Sequence, residues 1–417
     1  MVHRVFNLLI LVFVSVSTYA QNPFIVRPTV VDCVHLRDHP STDGAILGCL
    51  TANTKVLVTD SVPFWRRVEL EDSSSGWIAK KFIIPDEGPT SPETDLVLEV
   101  HFVDVGQGDG IWIHTPDDGI DGNGEFEGLN IVIDGGLDSS DHNNAMLHYL
   151  RDQAHHLAVL DALIVTHPHI DHYRGAEGLT RHFQVEQYID PGMPVNKAGY
   201  NAFIASFSQP DHHVKSTLRG QDILGPLDWG EELEVEILHS WVGTNDGMGS
   251  DEGTRINNSS IVIRLRFGDQ TFLFMGDAEG KSRTDSPSQP KYAEKVLLEA
   301  GADLDATILK IAHHGSETSS TTPFIEAVTP DVVVVQSGRK CYSGRHIPDM
   351  STLERYCDSN ADTVFLRTDH GDEAFHDHRS SINGDHVVIR TDGLSLEIEG
   401  QQTTCATLPT AAPMPQC

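Results

Sequence analysis

The sequence predicts a mixed α/β (α+β) chain in which a small all-β region precedes a larger domain of alternating strands and helices. Three observations carry this. Short apolar runs separated by turn residues fill residues 24–85. Beyond residue 96, apolar strands recur with amphipathic helical stretches between them. Histidine and aspartate clusters follow directly on several of those strands, at 166–172, 277 and 313–314. Loops at strand ends on a rigid scaffold are where functional side chains are expected.

With 417 residues the chain is long enough for two or three domains. Its net charge of -32 repels nucleic acid and anionic membranes at long range. That speaks against a chain built to hold a polyanion and suits solubility outside the cell. Residues 1–20 read as a signal peptide. Arg4 supplies the positive end, Leu8 to Val16 the apolar stretch, and Ser17-Thr18-Tyr19-Ala20 the cleavage region. The apolar run is short for a membrane span, and no later segment is apolar enough. The mature protein is therefore expected to be secreted or periplasmic, with no transmembrane segment. Six cysteines follow the leader, and an even number in an exported chain favours disulfides. Proximity along the chain predicts Cys33–Cys49, Cys341–Cys357 and Cys405–Cys417.

In the N-terminal region the strands centre on Val56-Leu57-Val58, Trp65 to Leu70 and Gly76-Trp77-Ile78-Ala79. The order Leu36-Arg37, Ile46-Leu47-Gly48, Val56-Leu57-Val58, Trp65 and Gly76-Trp77-Ile78 resembles the bacterial SH3-like (SH3b) domain. That resemblance implies a small β-barrel over residues 24–85 that binds cell-wall peptide or serves as a spacer. Trp65 and Trp77 either pack the barrel or line a groove. Residues 86–95, with two prolines and four acids, read as an extended linker.

The larger domain, residues 96–400, opens with the strand Leu96 to Val103. The Gly-rich turn Asp104-Val105-Gly106-Gln107-Gly108-Asp109-Gly110 follows, and Ile111-Trp112-Ile113 returns. No helix opens behind that turn, so it is a poor phosphate cradle. Asn130 to Ile133 is a buried strand ending in Asp134-Gly135-Gly136, and Asn144 to Leu160 carries a helical stripe of Met146, Leu147, Leu150 and Leu157. The strand Leu163-Ile164-Val165 then delivers Thr166-His167-Pro168-His169-Ile170-Asp171-His172. Pro168 argues for a loop there. Imidazoles and a carboxylate converging from one loop suit zinc, manganese or iron(II). Further along, Thr271 to Met275 ends in Gly276-Asp277, and Thr307 to Ala312 ends in His313-His314-Gly315-Ser316. The strand Val332 to Gln336 leads to Tyr342-Ser343-Gly344-Arg345-His346-Ile347-Pro348. The tail 401–417 reads as polar and irregular.

The HxHxDH run looks like the signature of the metallo-β-lactamase superfamily. Asp-Val-Gly-Gln-Gly-Asp at 104–109, Asn257-Asn258-Ser259-Ser260 and Lys310-Ile311-Ala312-His313-His314-Gly315-Ser316 resemble its competence-protein (ComEC-like) subgroup. The resemblance implies a four-layer αββα sandwich with all ligands along one edge of two packed sheets. It implies that His167 and His169 hold one divalent cation, that Asp171, His172 and His314 hold a second, and that Asp277 bridges them. One or two ions are expected, zinc foremost and manganese second. The last ligand in the family commonly precedes Gly, which favours His314 over His313. His313 would then contact substrate. Where the family usually places a further His this chain has Asn, and Asn258 is a candidate contact to a substrate oxygen. Lys310 and Arg174, with Arg339 and Arg345, are cations near the motifs, and His346 is a candidate proton donor.

The chemistry expected is metal-assisted hydrolysis, in which the cations lower the pKa of water. Asp171 orients the nucleophile, while His346 or His313 assists the leaving group. A phosphodiesterase or nuclease acting on a small or polymeric anionic ester is the first reading, with nucleic acid as substrate only. A hydrolase of carboxylic esters or lactams is the second. A cell-wall-binding protein with an inactive hydrolase domain is the third.

Overall fold

The computed structural model describes residues 23–26, 33–41, 44–62, 65–70, 72–79, 82–85, 96–116, 128–154, 157–209, 212–220, 223–230, 232–338, 341–342, 345–370 and 384–408. The leader, the linker at 86–95, Arg339 and Cys417 lie outside them. The chain divides into two compact units, Met1–Pro92 and Glu93–Cys417.

The first unit contains β1 (Pro23–Val26), β2 (Val34–Arg37), β3 (Ile46–Leu50), β4 (Lys55–Val62), β5 (Trp65–Glu69), β6 (Ser75–Ala79) and β7 (Ile83–Pro85). They form one sheet in the order β3-β2-β6-β5-β4-β1-β7, every described pairing antiparallel. Its core is Val26, Val34, Leu36, Leu50, Val56, Val68, Ile78 and Ile83. The Cys33–Cys49 disulfide ties the approach to β2 onto β3.

The second unit runs β8 (Leu98–Phe102), β9 (Ile111–His114), β10 (Asn130–Ile133), α1 (Ala145–Gln153), β11 (Val159–Ile164), α2 (Ile170–Leu179), β12 (Gln184–Asp190), α3 (Ala198–Ser206), β13 (Val214–Arg219), β14 (Gly225–Leu227), β15 (Leu233–His239) and α4 (Glu252–Asn257). It continues through β16 (Val262–Phe267), β17 (Gln270–Phe274), α5 (Tyr292–Glu299), β18 (Ile308–Lys310), α6 (Thr322–Val328), β19 (Val332–Val335), β20 (Cys341–Tyr342), β21 (Arg345–His346), α7 (Met350–Ser359), β22 (Val364–Arg367), β23 (Val387–Thr391), β24 (Leu396–Glu399) and β25 (Gln402–Thr404). Two eight-stranded sheets result, in the orders β13-β12-β11-β10-β9-β8-β23-β24 and β14-β15-β16-β17-β18-β19-β22-β25.

The layers follow from the two-residue period of the strands. Ile131 and Ile133 join Phe272, Phe274 and Ile308 in the core between the sheets. Val132 points the other way and packs with Met146, Leu147 and Leu150 of α1. On the second sheet, Leu309 and Val333 face outward onto Leu297, Phe324 and Leu353. Helix, sheet, sheet, helix is the αββα arrangement expected.

Two local expectations change. Leu157 does not belong to α1, which stops at Gln153, and β11 begins at Val159. Asn144 caps α1, accepting from Leu147 N at 2.9 Å and donating to Gly175 O at 3.0 Å. The HxHxDH run is only partly loop, because His169 is the N-cap of α2 and Asp171 and His172 lie in its first turn. Pro168 sits just ahead of that helix, where proline does no harm.

The cysteine pairing differs more. Cys357 is bonded to Cys405, which overturns both Cys341–Cys357 and Cys405–Cys417. The reason is β25, which pairs antiparallel with β22. That pairing carries Cys405 to Cys357 on α7, and proximity in sequence does not register it. Cys341 is also disulfide-bonded. Gln402–Thr404, in the stretch read as an irregular tail, thus belong to the second sheet, and Leu408 is buried in its outer core.

Candidate metal centre

Parallel strands set the site. β10, β11 and β12 run parallel in one sheet, and β17, β18 and β19 in the other. Parallel strands present their C-terminal ends along one edge. Asp134 follows β10, His167 follows β11, Asp277 follows β17 and His314 follows β18. Two close approaches let the layers meet there. A Cβ on Gly108, where φ is +126°, would strike the carbonyl of Asp171, and one on Gly175 would strike Gly135.

His167, His169 and Asp277 form one group whose ligand atoms lie within 4.8 Å of one another, and Asp171, His172 and His314 form a second. Asp277 stands between them. Its Oδ2 is 3.6 Å from His167 Nε2 and 3.3 Å from His172 Nε2, and its Oδ1 is 3.4 Å from His314 Nε2. Neighbouring acceptors fix the tautomers. His172 Nδ1 donates to Asp134 Oδ2 at 2.8 Å, and Asp134 also accepts from Thr166 N and Oγ1. His314 Nδ1 donates to Gln336 O at 2.9 Å, with Asp109 Oδ1 at 3.2 Å. In both rings Nε2 is left facing the site, as metal-ligating histidines are held by a second partner.

The residues fit a divalent cation on two counts. His172 Nε2, His314 Nε2 and Asp277 Oδ1 are buried without a hydrogen-bond partner among the described residues, a costly arrangement unless something else satisfies them. The electrostatics also anticipate positive charge. Burial opposes a charged His172, but the Asp277 and Asp134 carboxylates outweigh it and hold the pKa well above the imidazole range. His314 behaves alike, with Asp277 and Asp109 overcoming burial to raise it to about 9. Burial and the neighbouring His172 push His167 well below its usual value. Cations occupying the clusters would take the place of those protons.

The remaining candidates divide. His313 Nδ1 is 3.2 Å from Glu279 Oε1 and 2.9 Å from Thr318 Oγ1, while its Nε2 lies 4.0 Å from Asp277 Oδ2. It lines a cavity of about 390 Å³ with His169, Asp171, Asp277, Arg283 and Ser316. Asn258 does not face that cavity. Its Nδ2 donates to Met248 O and Thr254 O, and its Oδ1 accepts from Glu279 N and Ala293 N. No atom of its amide is left for a substrate. Lys310 is buried beneath the site and spends its ammonium on Asp109 and on Gly276 O. Arg174 donates to Glu177 at 2.7 Å on α2 and is not part of the cavity wall. His346 lies beside Cys341, its Nδ1 3.8 Å from that sulfur, and Ile347 takes the place on the wall expected for it. Arg283, Thr318 and Glu279 escaped the sequence reading because no motif marks them, and Ser316 closes the Lys310 to Ser316 run, which does not by itself place it on the wall.

Lys310 and Asp109 make a fully buried ion pair, and removing one partner strands the other. Lys310→Met is expected to destabilise the domain by about 3–5 kcal/mol in urea denaturation. A shift within about 0.5 kcal/mol, as for an ordinary surface change, would show that Asp109 is not held as an anion.

A fold of two sheets between helices, with His and Asp ligands converging on one edge, defines a metal-dependent hydrolase class. The family model described as Metallo-beta-lactamase superfamily matches residues 125–339, and the chain belongs to that superfamily. Among curated proteins it is 25% identical over 274 residues to ComE operon protein 3 of Bacillus subtilis (strain 168), covering 62% of this chain and 31% of that protein. To Recombination protein 2 of Haemophilus influenzae it is 28% identical over 200 residues, covering 47% of this chain and 20% of the relative. The chain thus spans less than a third of either relative's length. Among solved structures, a CmlA beta-hydroxylase E377D mutant matches with 18% identity and a TM-score of 0.38, covering 72% of this chain and 55% of that one. Zn(2+)-bound PqqB from Methylobacterium extorquens matches with 11% identity and a TM-score of 0.34, covering 67% and 87%.

Proposed function

We propose that the chain is an exported phosphodiesterase working with two divalent cations, one at His167 and His169, the other at Asp171, His172 and His314, with Asp277 shared. The observation that carries this is the charge of the site. Asp109, Asp134, Asp171, Asp277 and Glu279 bring five carboxylates into its buried surroundings, and Lys310 brings one ammonium. That carboxylate excess surrounds two ligand groups that Asp277 joins, and so favours two divalent cations over one. Zinc is the first expectation and manganese the second.

Bound cations would lower the pKa of water and stabilise charge on phosphoryl oxygens. The chain's own groups do the rest. Asp171 accepts a hydrogen bond from the attacking oxygen and orients it. His313, steadied by Glu279 and Thr318, hands a proton to the departing oxygen. Without cations, burial opposes its protonated form, yet Asp277 and Glu279 outweigh that and raise its pKa, which supports a proton-donating role. Arg283, held by Asp349 at 2.8 and 2.9 Å, and the hydroxyls of Ser316 and Thr318 offer an anion-compatible wall. A cavity of this size admits a nucleotide-sized ester rather than a duplex. A relative named for recombination makes nucleic acid a substrate to test.

Export is proposed on the leader and on the Cys33–Cys49 and Cys357–Cys405 disulfides, which belong to oxidising compartments. Binding of cell-wall peptide by the first unit is proposed on the order of its strand motifs alone.

Metal content of purified mature protein, measured alongside hydrolysis of bis(p-nitrophenyl) phosphate, tests the reading. Two ions per chain with metal-dependent turnover are expected, and Asp171→Ala should lose turnover while staying folded. Cleavage of lactams or carboxylic esters without phosphodiester turnover would sink it.

A further inference from the structure

Ile170 is the first residue of α2 and stands between His169 and Asp171. The nearby His167 and His172 are fully buried, yet Ile170 is 44% exposed. Of the large apolar side chains left exposed among the described residues, it is the one that lines the cavity of about 390 Å³. A lone exposed isoleucine is ordinary and needs no ligand. This one has company, because Ile347, from the segment after β21, lines the same cavity. Ligand pockets combine apolar walls with a few placed polar groups, and here two isoleucines supply the apolar part beside the metal ligands.

The charge of the wall points the same way. Arg283 is the one lysine or arginine among the described residues lining the cavity, and Asp349 takes both of its terminal nitrogens at 2.8 and 2.9 Å. Its charge is balanced where it stands, so it offers hydrogen bonds without a net pull on a second anionic group. The net charge of -32 opposes a polyanion at long range.

We propose that Ile170 is a specificity-determining residue, and that with Ile347 it seats an uncharged, apolar arm of the substrate. The substrate class is then a phosphodiester with one short alkyl-type arm, rather than a polynucleotide. This rests on the phosphodiesterase reading above and narrows its substrate. The isoleucines act on an arm that does not react, and such remote contacts set kcat/KM between similar substrates.

The test is steady-state hydrolysis, by the metal-loaded mature chain, of p-nitrophenyl phosphodiesters whose second arm is methyl, butyl or hexyl. The leaving group is the same throughout, so the contact with the arm is what changes. A fully buried methylene corresponds to about fourfold. In an open cavity kcat/KM is expected to rise roughly twofold per methylene, and at least about tenfold from methyl to hexyl. Ile170→Ser should flatten the series to within about threefold, while Ile170→Leu should keep its slope. The position is exposed, so the serine variant is expected to fold. Ile170→Thr keeps the branch at Cβ and should flatten the series likewise if the serine variant does not fold. p-Nitrophenyl thymidine 5′-phosphate, whose arm is polar, should turn over more slowly than the hexyl ester. An unchanged slope in folded Ile170→Ser or Ile170→Thr would overturn the assignment, as would faster turnover of the thymidine ester. Metal-dependent turnover with a flat wild-type series overturns this inference alone. No turnover of any ester by protein that holds its ions overturns the phosphodiesterase reading with it.

Discussion

Asp277→Asn is expected to remove at least one of two bound ions and to lower kcat/KM roughly a thousandfold or more, equivalent to about 4 kcal/mol of lost transition-state stabilisation. Both carboxylate oxygens of Asp277 face imidazole nitrogens, Oδ2 toward His167 and His172 and Oδ1 toward His314. In the folded protein His314 and His172 outweigh burial and hold this carboxyl well below the usual range, so it is anionic at any working pH. The amide of Asn has nearly the same shape. It lacks the charge and points a donor where an acceptor is needed. Elemental analysis and steady-state kinetics on the folded variant read both effects. Two ions with near-normal turnover would mean that the clusters bind independently and that Asp277 joins nothing.

Chelation should cost stability as well as activity. A ligand that binds only the folded state at a thousand times its Kd contributes about 4.1 kcal/mol. With about 2.1 cal/mol/K of unfolding entropy per residue, one such ion raises the Tm of a unit spanning Glu93–Cys417 by about 6 °C, and two by roughly twice that. Removing the ions leaves Asp109, Asp134 and Asp277 buried with only protonated histidines and Lys310 opposing them. Scanning calorimetry with and without EDTA should show the drop, with recovery when metal is restored. The transition of the first unit should not move. Identical traces would mean that the clusters are empty in the native protein.

Much of this was open to reading in the sequence because the decisive ligands are local. Four fall in the six residues from His167 to His172, and the apolar strands ahead of Asp277 and His314 mark them as strand-end residues. The two-sheet fold was legible for a similar reason, since each strand declares both of its faces. What escaped was set by contacts across the chain. Asp109 and Lys310 are 201 residues apart, and nothing near either names its partner. Asn257 and Asn258 are adjacent at a helix end, where each step turns about 100°. The sequence offers both amides, and packing assigns one to backbone groups and leaves the other at the cavity. The Cys357–Cys405 bond depends on β25 pairing with β22, which no spacing rule contains.

The ligands come from both sheets, with His167 to His172 on one and Asp277 and His314 on the other. This imposes an order on maturation. A chain still being synthesised can offer a passing ion only the cluster from His167 to His172. High-affinity capture waits until more than half of the domain has been made and its two halves have closed on each other. Loading with metal therefore reports that the two halves of the domain have closed on each other.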